Sequence, residues 1–181
     1  MKKYPLLLCL VLASGAAGAA PSEPPQVVLH GTVTTQSGRY PAWLTLICTQ
    51  GHGGALSLQL ALANDVAPGF PFDAFEGPRA PASFQPSARL AAGTKSFAPV
   101  PVSGWYGDAH LFVFGITVKP RTHNDVTAFV AALDSPGMTA TWIQASNDIQ
   151  TPPLMAQFTL DAQHRDALKR IAAPCLPLRY L

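Results

Sequence analysis

The stretch Ala55-Leu56-Ser57-Leu58-Gln59-Leu60-Ala61-Leu62 decides how the chain is read. Its four leucines alternate with small or polar residues at a strict period of two. That is the side-chain period of a strand with one face buried and the other open; a helix would place its apolar residues three and four apart. Upstream, Gly51-His52-Gly53-Gly54 supplies a turn, and Trp43 to Thr49 a second strand around the run Trp43-Leu44-Thr45-Leu46-Ile47. Further back, Gln26 to Thr35 reads as a strand through Val27, Leu29, Val33 and Thr35, closed by Gln36-Ser37-Gly38.

Downstream, the character changes between Ala63 and Asp108. Seven prolines fall in these 46 residues, together with Phe70, Phe72, Phe75, Phe84 and Phe97. Proline is confined to edge strands, strand starts and bulges, so short irregular strands joined by ordered loops are expected over 63–108. Ala109 to Lys119 returns to a clear strand, apolar on both faces, which predicts a central position in the sheet.

The last third carries helices as well. Asn124 or Asp125 can cap a helix through Leu133, in which Val126, Phe129, Val130 and Leu133 recur at three and four positions. Ser135-Pro136-Gly137 ends it. Met138 to Ala145 and Leu154 to Leu160 form a hairpin around a polar turn. Asp161 caps a final helix with His164, Leu168, Ile171 and Cys175 on one side and an Asp166–Arg170 pair on another. The expected class is therefore α+β: a mostly antiparallel β-sheet or sandwich with two helices near the C-terminus.

The chain has 181 residues, of which 12% are charged and 48% apolar, with 18 Pro, 14 Gly and a formal net charge of +2. This is too hydrophobic for disorder, too rich in loop residues for a helical bundle, and long enough for one domain. Its first residues spell an export signal. Met1-Lys2-Lys3 is positive, Leu6 to Leu12 is apolar, and small residues lead to Ala17-Gly18-Ala19, an A-x-A cleavage pattern. Cleavage after Ala19 leaves residues 20–181 as a single secreted domain and avoids Pro21 as the first mature residue. The apolar run is too short to span a bilayer, which needs about 20 residues, so no membrane span is expected after cleavage. Cys9, preceded by Leu7 and Leu8, does not sit in a lipidation context. Periplasmic localisation follows as the expectation.

Losing Lys2, Lys3 and Cys9 leaves ten basic against ten acidic residues and two cysteines. A neutral chain without a basic run is not expected to bind nucleic acid. Cys48 and Cys175 are 127 positions apart in an exported, oxidising setting, which predicts a disulfide rather than a metal pair or a reactive thiol.

The C-terminal strings FVAALDSPGMTATWIQASN (129–147) and MAQFTLDAQHRDALKRIAAPC (155–175), with LTLIC at 44–48, resemble the periplasmic type VI secretion-associated proteins and, more loosely, the invasion-associated locus B family. The resemblance lies in an early strand ending in Cys and a late closure of helix, hairpin, Phe-x-Leu, helix and Cys. It implies a Gram-negative envelope protein that acts by binding another envelope protein, with no catalytic residue to carry over.

The residues themselves offer little chemistry. Gly51-His52-Gly53-Gly54 could build an oxyanion pocket, but no Gly-x-Ser-x-Gly accompanies it and a turn explains the glycines. His30, His52, His110, His123 and His164 show no metal-ligand spacing, and no cofactor motif is present. Asp73 and Glu76 in PFDAFEGP read as loop acids between aromatics rather than a catalytic pair. Candidate partner-binding residues are Trp105 and Tyr106 in SGWYGD, with Phe72 and Phe75; the first two can equally anchor their loop to the core. A non-enzymatic periplasmic binding or accessory protein is thus expected, with two alternatives: an inhibitor or immunity protein plugging a toxin or cell-wall hydrolase through residues 68–106, or a small periplasmic hydrolase.

Overall fold

Strands β1 (Gln26–Thr35), β2 (Gly38–Cys48) and β3 (Leu56–Ala63) form an antiparallel meander, in register from Thr35 against Gly38 to Gln26 against Ile47 and from Ala42 against Leu62 to Cys48 against Leu56. The computed structural model describes residues 25–51, 53–76 and 84–180. The expected signal segment 1–19 with its cleavage point, residues 20–24 after it, and His52 lie outside those residues. Among the described residues the other strands are β4 (Ser87–Ala92), β5 (Lys95–Ser96), β6 (Val100–Pro101), β7 (Ser103–Tyr106), β8 (Leu111–Val118), β9 (Thr139–Gln144) and β10 (Leu154–Thr159). All pairings are antiparallel, in the order β5-β4-β9-β10-β1-β2-β3-β8-β7.

The sheet curls back on itself. β6 and β7 are one run of chain interrupted only at Val102, yet they pair with opposite ends of the strand order. Val100 lies opposite Ala88 of β4, and Trp105 lies opposite Val113 of β8. Between them the Val102 N–H donates to the Pro86 carbonyl at 3.0 Å. The prolines explain why the run changes partner here: Pro99 and Pro101 have no N–H to continue a ladder. The result is one curled sheet closed by residues 100–106, not two packed sheets.

A barrel of about eight staves is just wide enough for side chains to fill, and here they do. Leu56, Leu58, Leu60 and Leu62 are all fully buried, sharing one interior with Phe112 and Phe114, their register partners on β8, and with Trp142 and Phe158. Burying each leucine contributes about 1.5 to 3 kcal/mol. Gln144, also buried, accepts from Trp142 Nε1 at 3.1 Å and donates to the carbonyls of Ser87 and Ala145, so its amide is satisfied inside an apolar core. Gly31 faces inward as well, where a Cβ would land on the Gln157 carbonyl and the Phe158 ring; only glycine lets β10 approach β1.

Helices close one end. α1 (Asp125–Ala132) begins at Asn124, whose side chain accepts from the Thr127 N–H while Thr127 Oγ1 accepts from the Asn124 N–H. It buries Val126, Phe129 and Val130, and Phe129 meets Phe97 edge to face at 5.9 Å. α2 (Ala162–Ala172), capped by Asp161, lies against β1 and β2 through Leu168 and Ala172. The other end is plugged by a short 3-10 turn, Phe72–Phe75, inside a cluster of phenylalanines. Among the described residues no helix is long and apolar enough to cross a membrane.

Three local expectations change. β8 lies between β3 and β7, inside the sheet as expected, but its two apolar faces differ: Phe112, Phe114 and Ile116 point into the barrel, while Leu111 and Val113 are half-buried on the exterior and Gly115 is covered by the Trp105 indole. Cys175 is not on α2 but in the 3-10 turn Ala173–Cys175 that follows it, where Pro174 has stopped the helix. Lys169 pairs with Asp134 across elements at 3.1 Å, and the Asp166–Arg170 pair does not form.

Candidate functional site

Trp105 and Tyr106 leave β7 on opposite sides, as adjacent residues of a strand must. Trp105 lies on the barrel exterior across Gly115 of β8: a Cβ at Gly115 would stand 2.7 Å from its Cζ3. It is still 36% exposed. Tyr106 points toward the rim, with its ring edge to face on Phe112 at 5.0 Å and its hydroxyl donating to Asp73 Oδ1 at 2.8 Å. Both aromatic side chains are therefore held in one orientation while part of each remains accessible.

Phe72 and Phe75 are placed differently. They are 6% and 3% exposed, packed with Phe70, Phe112 and Phe114 at ring separations of 4.8 to 6.1 Å. A docking partner would meet Trp105 and Tyr106 but not these two, whose role is to fill the barrel end and support Tyr106 through Phe112. The described parts of residues 68–106 are likewise built into the barrel wall and its plug.

The register brings a further residue to the same exterior face. His30 pairs with Trp43, Trp43 with Ala61, Ala61 with Val113, and Val113 with Trp105, so five strands contribute one continuous outward row. Its middle is small, Ala61 and Val113, and an indole stands on either side. At about 4.8 Å per strand the two tryptophans are about 14 Å apart along the sheet. Trp43 was hidden in the sequence by its apolar neighbours. The signal that locates it is parity: Leu44, Leu46 and Cys48 are inward, so Trp43, Thr45 and Ile47 face out.

Titratable groups are dispersed. His30 is on the exterior of β1, His110 in the turn between β7 and β8, His123 ahead of α1, and His164 on α2. Among the described residues there is no group of three His, Cys, Asp or Glu that could hold a metal ion. Asp73 lies within the Phe72–Phe75 turn and Glu76 directly follows it, and Asp73 receives the Tyr106 hydroxyl. Gly51 and Gly53 both have positive φ, and Gly54 N–H donates to Gly51 O at 3.1 Å, so the glycines serve the geometry of the β2–β3 turn. Asp161 accepts from the His164 N–H at 2.8 Å, and this bond holds its carboxyl below the ordinary value of 3.8.

Cys48 and Cys175 form a disulfide that spans 127 residues of sequence. Both sulfurs are buried, and the link ties the end of β2 to the turn behind α2. Compared with known proteins, the chain matches no family model, no curated protein and no solved structure.

Proposed function

We propose that this chain is an exported, non-enzymatic accessory protein of the periplasm that binds another envelope protein through the exterior face bearing Trp43 and Trp105. The observation that carries the reading is the outward row His30–Trp43–Ala61–Val113–Trp105. Two indoles separated by small residues, that of Trp105 seated on Gly115, offer a large apolar contact of the kind that dominates binding energy at protein interfaces. The covalent closure by Cys48–Cys175 suits an oxidising compartment. The link to a secretion system is proposed on the resemblance of residues 129–175 and 44–48.

A photo-crosslinking residue at Thr45, between Trp43 and Ile47 on the outward face, tests it in intact cells. A discrete protein adduct is expected, and it should disappear with Trp43→Ala or Trp105→Ala. Absence of any adduct, or an adduct indifferent to both substitutions, overturns the proposal. Fractionation of the same cells should recover the chain in the periplasm with Ala20 as its first residue.

A further inference from the structure

A depression at the disulfide end of the barrel is lined by Arg121, His123 and Arg179, with Pro174, Pro177 and Leu178. Arg121 is fixed there by two bonds: its N–H donates to the Cys175 carbonyl at 2.6 Å and its Nε to the Pro174 carbonyl at 3.1 Å. Its φ is +60°, the left-handed region that non-glycine residues rarely adopt. The surrounding bonds hold that conformation, and Nε is engaged while the two Nη groups are not. On the other wall the Arg179 guanidinium lies 4.8 Å over the Tyr180 ring and donates to its hydroxyl, and Tyr180 in turn meets the His123 ring edge to face at 5.9 Å.

The charge is one-sided. Among the described residues neither Arg121 nor Arg179 is paired with a carboxylate. The other lining residues, Ala173, Pro174, Leu176, Pro177 and Leu178, bring no side-chain acceptor. Two guanidiniums and an imidazole around one hollow, in a chain that is otherwise balanced in charge, are an unfilled set of donors for an anion. One guanidinium suffices for a carboxylate; two separate forks with an added imidazole suit the three terminal oxygens of a phosphate.

We infer that Arg121, His123 and Arg179 form a binding site for a phosphate group. The source is either a phospholipid headgroup or a soluble phosphate ester. Leu178, 86% exposed beside Arg179, is the apolar contact that a lipid surface would take up below its headgroups. The inference does not depend on the tryptophan face.

Titration of the disulfide-intact protein with inorganic phosphate at constant ionic strength, followed by NMR of the arginine Nε–H and His123 ring resonances, tests it. Saturating shifts are expected, with affinity falling about tenfold on Arg179→Gln, the loss of one charge-assisted pair. Arg179→Gln removes no bond to the main chain and so keeps the fold; Arg121→Gln is the second variant. In parallel, co-sedimentation is measured with vesicles of phosphatidylglycerol and of phosphatidylcholine. Binding to the anionic vesicles that falls with Arg179→Gln and Leu178→Ser assigns the headgroup, whereas phosphate shifts without co-sedimentation assign the soluble ester. No response to phosphate or to either vesicle, or a response unchanged by both arginine substitutions, would falsify the site.

Discussion

The indole of Trp105 rests on Gly115, the residue diagonal to it on the neighbouring strand, and it can do so only because Gly115 has no side chain. The contact sets the orientation of one of the two exterior tryptophans and gives it a rigid backing. Glycine inside a strand is otherwise a weakness, so the position exchanges some strand stability for an oriented aromatic ring.

Gly115→Ala should therefore push the indole off the sheet, lowering stability by about 1 kcal/mol and shifting tryptophan fluorescence to the red. Combined with Trp105→Ala, the same substitution should be neutral or stabilising, because the clash is gone and alanine is the better strand residue. Chemical denaturation of the four proteins of this cycle measures the coupling. Additive effects would show that the ring does not lie on Gly115.

The disulfide closes a loop of 127 residues. Replacing both cysteines by alanine should cost about 2 to 5 kcal/mol, the upper part being the chain-entropy value for so long a loop. For a domain of this size that is a fall in Tm of about 5 to 15 °C. A change of less than about 2 °C by calorimetry would mean that the β2 end and the C-terminal turn are held by packing alone.

The turn from β7 to β8 places Ala109 and His110 at φ of 54° and 61°, with Leu111 N–H donating to Asp108 O at 3.2 Å. This is the hairpin geometry that normally takes Asn and Gly. His110 O also accepts from the Asn64 N–H at 2.9 Å, which anchors the turn to the segment after β3. Ala109→Gly should stabilise by about 0.5 to 1 kcal/mol, the relieved strain exceeding the added freedom of the unfolded chain. Ala109→Val should destabilise. Opposite signs for the pair in thermal melts would remove the left-handed turn.

Asp161 has its carboxyl held below 3.8, chiefly by the His164 N–H; His164 Nδ1 is 3.0 Å from Oδ1. A carboxyl depressed in the folded state stabilises that state above its unfolded value, and this contribution is lost as pH falls through the folded value. The start of α2 should therefore loosen below about pH 4. The carboxyl carbon of Asp161 should titrate with a midpoint under 3.8, and hydrogen exchange of the His164 amide should accelerate in the same range. Asp161→Asn, which keeps the acceptor and loses the charge, should abolish that local pH dependence. A midpoint at or above the ordinary value would contradict the cap geometry.

Much of the architecture was legible because strands and helices announce themselves locally. The alternation of Leu56, Leu58, Leu60 and Leu62 located β3 and its buried face. Asn124 and Asp161 marked the starts of α1 and α2 through the cap chemistry that the structure realises. Phe72 and Phe75, by contrast, looked like accessible loop aromatics and are core. A loop aromatic between prolines has no period to say whether it points in or out, and the answer depends on what the rest of the chain places beneath it.

The sequence by itself determined the main strands and both helices, the inward face of β3 and the pairing of the two cysteines, since each of these follows from residues within a few positions or from there being no third cysteine beyond the expected cleavage point. Only the tertiary structure decided that the sheet closes through residues 100–106, that Trp43 and Trp105 share one exterior row, and that Arg121, His123 and Arg179 meet at the disulfide end. These are relations between strands and turns distant in the chain. They are set by which registers let one interior be filled without voids, a condition on the whole set of side chains that no local window of sequence contains.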